Sequence, residues 1–89
     1  MAYVRFTDNI QRHVSCPEAE VSGGTVREVL DRYFDQHAEV RGYVLDDQKA
    51  LRKHMVVFLN GRQIADRRAL SDPVPRAATI DVMQALSGG

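Results

Sequence analysis

Residues 25–37 read TVREVLDRYFDQH, and this stretch decides the fold. Thr25 stands where its hydroxyl can cap a first helical turn, and Glu28 follows three residues later to complete a capping box. Val26, Val29, Leu30, Tyr33, Phe34 and His37 recur at helical spacing and predict one apolar stripe. Arg27, Glu28, Asp31, Arg32 and Asp35 fall on the other side, with Glu28 and Arg32 spaced as an acid-before-base pair worth about 0.3 kcal/mol. Gly42 is the expected stop. One amphipathic helix has one apolar surface to cover, so the flanking sequence should supply a single sheet.

Outward from the helix, the strands follow from period-two alternation. Ala2, Val4 and Phe6 lie on one side of an N-terminal strand, and Tyr3 and Arg5 on the other. Thr7-Asp8-Asn9 reads as a turn and Ile10–Val14 as a second, antiparallel strand, with Glu20–Ser22 extending the pair. Residues 15–24 are otherwise loop, including a Gly23-Gly24 turn before the helix. Leu51–Leu59 contains the densest apolar run, Met55-Val56-Val57-Phe58-Leu59, and predicts a central strand. Asn60-Gly61 then signals a type I′ hairpin into Arg62-Gln63-Ile64. Pro73 and Pro75 make residues 65–78 loop, and Thr79–Met83 is the last strand, expected beside the first.

Alternation turns Ala2, Val4, Phe6, Val57, Leu59, Ile80 and Val82 toward the helix. The opposite face then carries Tyr3, Arg5, Val56, Phe58, Asp81 and Met83. An exposed Phe58 beside Tyr3 and Met83 is a costly surface for a monomer but a good docking patch.

The chain has 89 residues, 44% hydrophobic and 27% charged, which fits one ordered domain rather than two cores or a disordered segment. Formal charge is zero, but Lys49, Arg52, Lys53, Arg62, Arg67 and Arg68 face only Asp66 within residues 49–68. Such a run reads either as a solvated surface or as steering for an acidic partner. The balanced total and the lack of a binding motif argue against nucleic acid. No apolar stretch approaches the ~20 residues of a membrane span, and no signal-peptide pattern precedes the first strand, so the cytoplasm is the default.

No catalytic constellation is present. Cys16 is single, which excludes an internal disulfide, and its place beside Pro17 in a loop suggests an exposed thiol without an activating neighbour. His13, His37 and His54 are too dispersed for a helical ligand pair, and no metal site is indicated. Asp46-Asp47 lacks the spacing of a calcium loop, and Gly23-Gly24 lacks the lysine of a phosphate loop.

The last residues, Ala85-Leu86-Ser87-Gly88-Gly89, follow the final strand directly. Glycines without side chains can thread a narrow slot and present an unhindered carboxylate, and five extended residues reach at most about 18 Å. With Phe58-Leu59-Asn60-Gly61 and this ending, the chain resembles the ubiquitin-like sulfur-carrier family of the MoaD/ThiS type. The resemblance extends over nearly the whole chain in element order and length. It implies an α+β, ubiquitin-like β-grasp fold, with a mixed four- to five-stranded sheet and one main helix across one face. Residues 1–84 would form the domain and 85–89 a flexible tail.

The resemblance further implies a carrier rather than an enzyme, as in the small subunit of molybdopterin synthase. An adenylating enzyme uses ATP to activate the terminal carboxylate, a sulfur donor makes the thiocarboxylate, and an acceptor enzyme takes the sulfur. The carrier itself binds no cofactor. Gly89 would be the modified residue, Gly88, Ser87 and Leu86 the threading segment, and Phe58, Tyr3, Arg5, Val56 and Met83 the partner-binding face. Val82-Met83-Gln84-Ala85-Leu86 lacks the aromatic and two prolines of many molybdopterin carriers, and the Gly42–His54 connection is more like that of cysteine-forming carriers. A protein modifier joined through the same carboxylate, or a non-catalytic binding module, are the alternative readings.

Overall fold

The computed structural model describes residues 1–84. Five strands and three helices follow in the order β1 (Ala2–Phe6), α1 (Asp8–Gln11), β2 (Ala19–Val21), α2 (Val26–Gln36), α3 (Ala38–Val44), β3 (Met55–Leu59), β4 (Arg62–Gln63) and β5 (Thr79–Gln84). One sheet has the strand order β2-β1-β5-β3-β4. β1 and β5 run parallel, while β1–β2, β3–β5 and β3–β4 are antiparallel. This mixed sheet with helices across one face is the β-grasp architecture.

α2 forms for the reasons legible in its sequence. The Thr25 hydroxyl accepts from Glu28 N–H at 3.2 Å. The Glu28 carboxylate reaches back to Gly24 N–H at 2.7 Å, one residue beyond the reciprocal partner of a standard capping box. Val26, Val29, Leu30, Tyr33 and Phe34 are all buried. They meet Val4, Val57, Ile80 and Val82 in one core, where the Phe6 and Tyr33 rings lie 5.0 Å apart. Gly23 packs against α2 so closely that a Cβ there would sit 2.8 Å from Val29 Cγ2, which gives the glycine a packing role.

Four local expectations are corrected. Residues 8–11 are a single helical turn, not a turn leading to an Ile10–Val14 strand. Ile10 and Val14 are both buried and four residues apart, the spacing of one helix face, and Val14 N–H donates to Ile10 O at 3.1 Å. β2 pairs instead through Ala19–Val21, opposite Ala2–Val4. The second correction concerns Gly42, which lies inside α3. The break falls at His37, whose φ of −139° and ψ of 68° turn the chain so that Val40 and Val44 also face the core.

The third concerns Glu28 and Arg32, which form no ion pair. Arg32 donates to the Ser22 carbonyl, and Arg27 is the residue that meets an acid four places on, Asp31, at 3.7 Å. The fourth concerns Cys16, which is buried rather than exposed, and burial pushes its thiol pKa up.

The Asn60-Gly61 hairpin takes the positive φ angles its sequence predicts, 51° and 84°. It sets Phe58 opposite Gln63 and Leu59 opposite Arg62. β5 pairs with β1 on one side and β3 on the other, so the strand that leads to residues 85–89 is the centre of the sheet.

Candidate functional site

The face of the sheet turned away from α2 is the candidate site. Its register follows from the alternation of β1, β3 and β5. Val4, Val57, Ile80 and Val82 are fully buried on the helix side. Their sequence neighbours Tyr3, Arg5, Val56, Phe58, Asp81 and Met83 therefore project to the other face. Strand pairing then brings them together: Val56 is opposite Met83, Phe58 opposite Asp81, and Arg5 beside Asp81.

The apolar part of this face is Val56, Phe58 and Met83, with Tyr3 toward the β2 edge. Met83 is 37% and Tyr3 38% exposed, whereas Phe58 is half-buried rather than fully presented. A groove of about 500 Å³ lies on one side of Phe58 and Met83, bounded by Arg5, Thr7, Glu18 and Asp81. A second groove of about 510 Å³ lies on the other side, bounded by Asn9, Val56, Gln63 and Gln84. Phe58 and Met83 form the ridge between two depressions.

Polar groups border the ridge. Arg5 Nε donates to Asp81 Oδ1 at 2.7 Å, and Nη2 to Oδ2 at 3.1 Å. The hydrogen bonds and charge of Asp81 raise the Arg5 pKa above its ordinary value. The Tyr3 hydroxyl donates to Glu18, which raises the phenol pKa. Thr7 Oγ1 is buried at the groove wall without a hydrogen-bond partner among the described residues. None of these groups forms an acid–base or nucleophilic arrangement, and no cluster of three metal-ligating side chains occurs among the described residues.

The basic run of residues 49–68 is partly structural, which sequence alone did not reveal. Arg67 donates to the Arg52 and Met55 carbonyls, both at 2.8 Å, and Arg52 Nε donates to the Gly42 carbonyl at 2.8 Å. Lys49, Lys53, Arg62 and Arg68 are exposed. His37 packs on Tyr33 with ring centroids 4.5 Å apart, and His13 stacks on Tyr43. Gly89, Gly88, Ser87 and Leu86, the expected reactive and threading residues, lie outside the described residues. Gln84, the last of the described strand, is paired with Met55.

No family model matches the chain, and no curated protein matches it. Solved structures do. A chain of the Amycolatopsis orientalis BexX/CysO complex superposes with a TM-score of 0.81 at 22% identity, covering 100% of both chains. Mycobacterium tuberculosis CysO gives 0.80 at 12% identity, over 97% of this chain and 100% of that one. The small archaeal modifier protein 1 of Methanosarcina acetivorans gives 0.79 at 22% identity, over 99% and 95%. No helix among the described residues is long and apolar enough to cross a membrane. At these identities the likeness is one of architecture: the chain has the ubiquitin-like β-grasp fold, shared along nearly its whole length with these structures.

Proposed function

We propose that this chain is a cytoplasmic sulfur carrier of the ubiquitin-like type, with the carboxyl group of Gly89 as its reactive handle. The observation that carries the proposal is the position of β5. It is held on both sides, by β1 as far as Val82 and by β3 as far as Gln84, and the sequence then continues Ala85-Leu86-Ser87-Gly88-Gly89. A rigid central strand would aim those residues, while the ridge of Phe58 and Met83 identifies the body to its partners.

A carboxylate resists nucleophilic attack because it is anionic and its oxygen is a poor leaving group. Reaction with ATP in a partner adenylating enzyme would join AMP to the Gly89 carboxyl and release pyrophosphate. Sulfide-level sulfur from the donor would then attack the acyl carbon, forming the C–S bond as the C–O bond to AMP breaks and AMP departs, leaving a thiocarboxylate for an acceptor enzyme. Positioning and charge stabilisation would reside in those enzymes, so the carrier needs no acid, base or nucleophile of its own. The Gly42–His54 connection, which resembles that of the cysteine-forming carriers, favours that branch over the molybdopterin branch.

A second reading, attachment through the same carboxylate to lysines of other proteins, draws support from the likeness to a small archaeal modifier protein. Intact-mass measurement after incubation with ATP, the adenylating enzyme of the same organism and a sulfur source separates the two. Carrier function gives replacement of one oxygen by sulfur in the terminal peptide. Modifier function, with cell extract added to supply lysine-bearing acceptors, gives amide-linked adducts that survive thiol treatment. Removal of Gly89 should abolish either product and leave the fold intact; sulfur transfer at the normal rate by that variant would overturn the proposal.

A further inference from the structure

The basic run that is continuous in sequence is split in space by the β3 register. Met55, at one end of β3, lies opposite Gln84, where β5 ends; Leu59, at the other end, lies opposite Ile80 and Arg62. Four residue-to-residue steps along the strand separate these ends by about 13 Å. Lys53 and His54 therefore belong to the end from which residues 85–89 depart, and Arg62 belongs to the far end.

A second segment joins Lys53 and His54 there. A cavity of about 190 Å³ is lined by Ile10, His13, Tyr43, His54, Met55 and Gln84. The His13 and Tyr43 rings are stacked at 6.2 Å with an interplanar angle of 17°. The Arg52 bond to the Gly42 carbonyl ties the loop before β3 to α3, next to Tyr43. Arg12 and Lys53, the sequence neighbours of His13 and His54, are exposed. Ion pairs among the described residues are confined to Arg5–Asp81 and Arg27–Asp31, so Arg12 and Lys53 take part in none of them. No carboxylate side chain of the described residues lines the cavity.

We propose that this cationic end, centred on the cavity between His13, Tyr43 and His54, docks onto an acidic surface bordering the slot in the adenylating enzyme that receives the tail. The inference deepens the carrier reading and rests on it. Fixed charges on Arg12 and Lys53 supply attraction, and the imidazole and phenol groups supply donors to a carboxylate entering the cavity. The Phe58–Met83 ridge would bind by apolar contact, whereas this end would orient the body as the tail enters. Its contribution is therefore the part that salt should weaken.

The test uses the full chain and the adenylating enzyme of the same organism, with tail-dependent ATP–pyrophosphate exchange as the readout. The double variant R12E/K53E should raise KM by about tenfold or more with little change in kcat, and the penalty should shrink at about 1 M salt, where screening is nearly complete. R76E, three residues before β5 and at its opposite end, should match the unmodified chain. Thermal melts report folding, and H13Q/H54Q provides a second, uncharged perturbation if the double reversal does not fold. A KM within about twofold of the unmodified chain for whichever variant folds overturns the inference while leaving the carrier reading standing. Absence of any exchange with the unmodified chain overturns that reading, and the inference with it.

Discussion

Arg5 and Asp81 face each other across the parallel β1–β5 pair and are joined by two hydrogen bonds, at 2.7 and 3.1 Å. Asp81 also stands opposite Phe58, so the ion pair fixes a charged group beside the apolar ridge. The Arg5 and Asp81 side chains are 47% and 25% exposed, and solvent screening keeps the contribution of such a pair to stability small. D81N should therefore shift the melting temperature by less than about 8 °C. The same variant should lose affinity for the adenylating enzyme, measured by titration calorimetry, because Arg5 is no longer held in place. A large loss of stability with unchanged affinity would make the pair structural.

Phe58 and Leu30 should separate recognition from folding. Phe58 is half-buried on the outer face, whereas Leu30 has no exposed surface in the core. F58S should weaken partner association with little effect on the melt. L30A should cost about 2–5 kcal/mol in chemical denaturation, the usual range for removing a buried leucine side chain. A collapse of F58S on heating without selective loss of binding would place Phe58 with the core.

The N-terminus of α2 depends on Thr25. Its hydroxyl satisfies the Glu28 amide at 3.2 Å, and alanine leaves that donor without its cap. T25A should lose about 1 kcal/mol, read as a lower urea midpoint at unchanged slope.

Asp66 should make acid stability pH-dependent. The Ser71 hydroxyl and the Ala69, Arg68 and Ser71 amides hold its carboxyl pKa down at about 2. A depressed native pKa means that the unfolded chain binds more protons, so the contribution is full above the unfolded value of about 3.9. It is lost as pH falls from there through about 2. Denaturation curves between pH 6 and pH 2, each measured against D66N, should show the stability gap closing across that window. A gap independent of pH would assign the effect to packing.

The residues that were legible one at a time are those whose behaviour is local. The Thr25 cap, the stripe from Val26 to Phe34, and the Asn60-Gly61 turn depend on neighbours within a few positions. Strand alternation gave the correct outer face, because a period of two leaves each side chain only two directions. Ile10–Val14 misled because a short apolar pair fits either a strand or one helical turn. Its four-residue spacing after Thr7-Asp8 was the available signal for the turn. The spacing of His37 fits the helix stripe, although its backbone ends α2 and starts α3.

The amino-acid order by itself determined one amphipathic helix, the alternating strands and the hairpin, because each is set by short-range sterics and hydrogen bonding. Only the tertiary structure decided that Cys16 is buried, that Arg52 and Arg67 serve neighbouring carbonyls, and that His13 meets Tyr43 and His54 beside Gln84. Those outcomes depend on which distant segments the sheet register brings together, and no local preference encodes that distance.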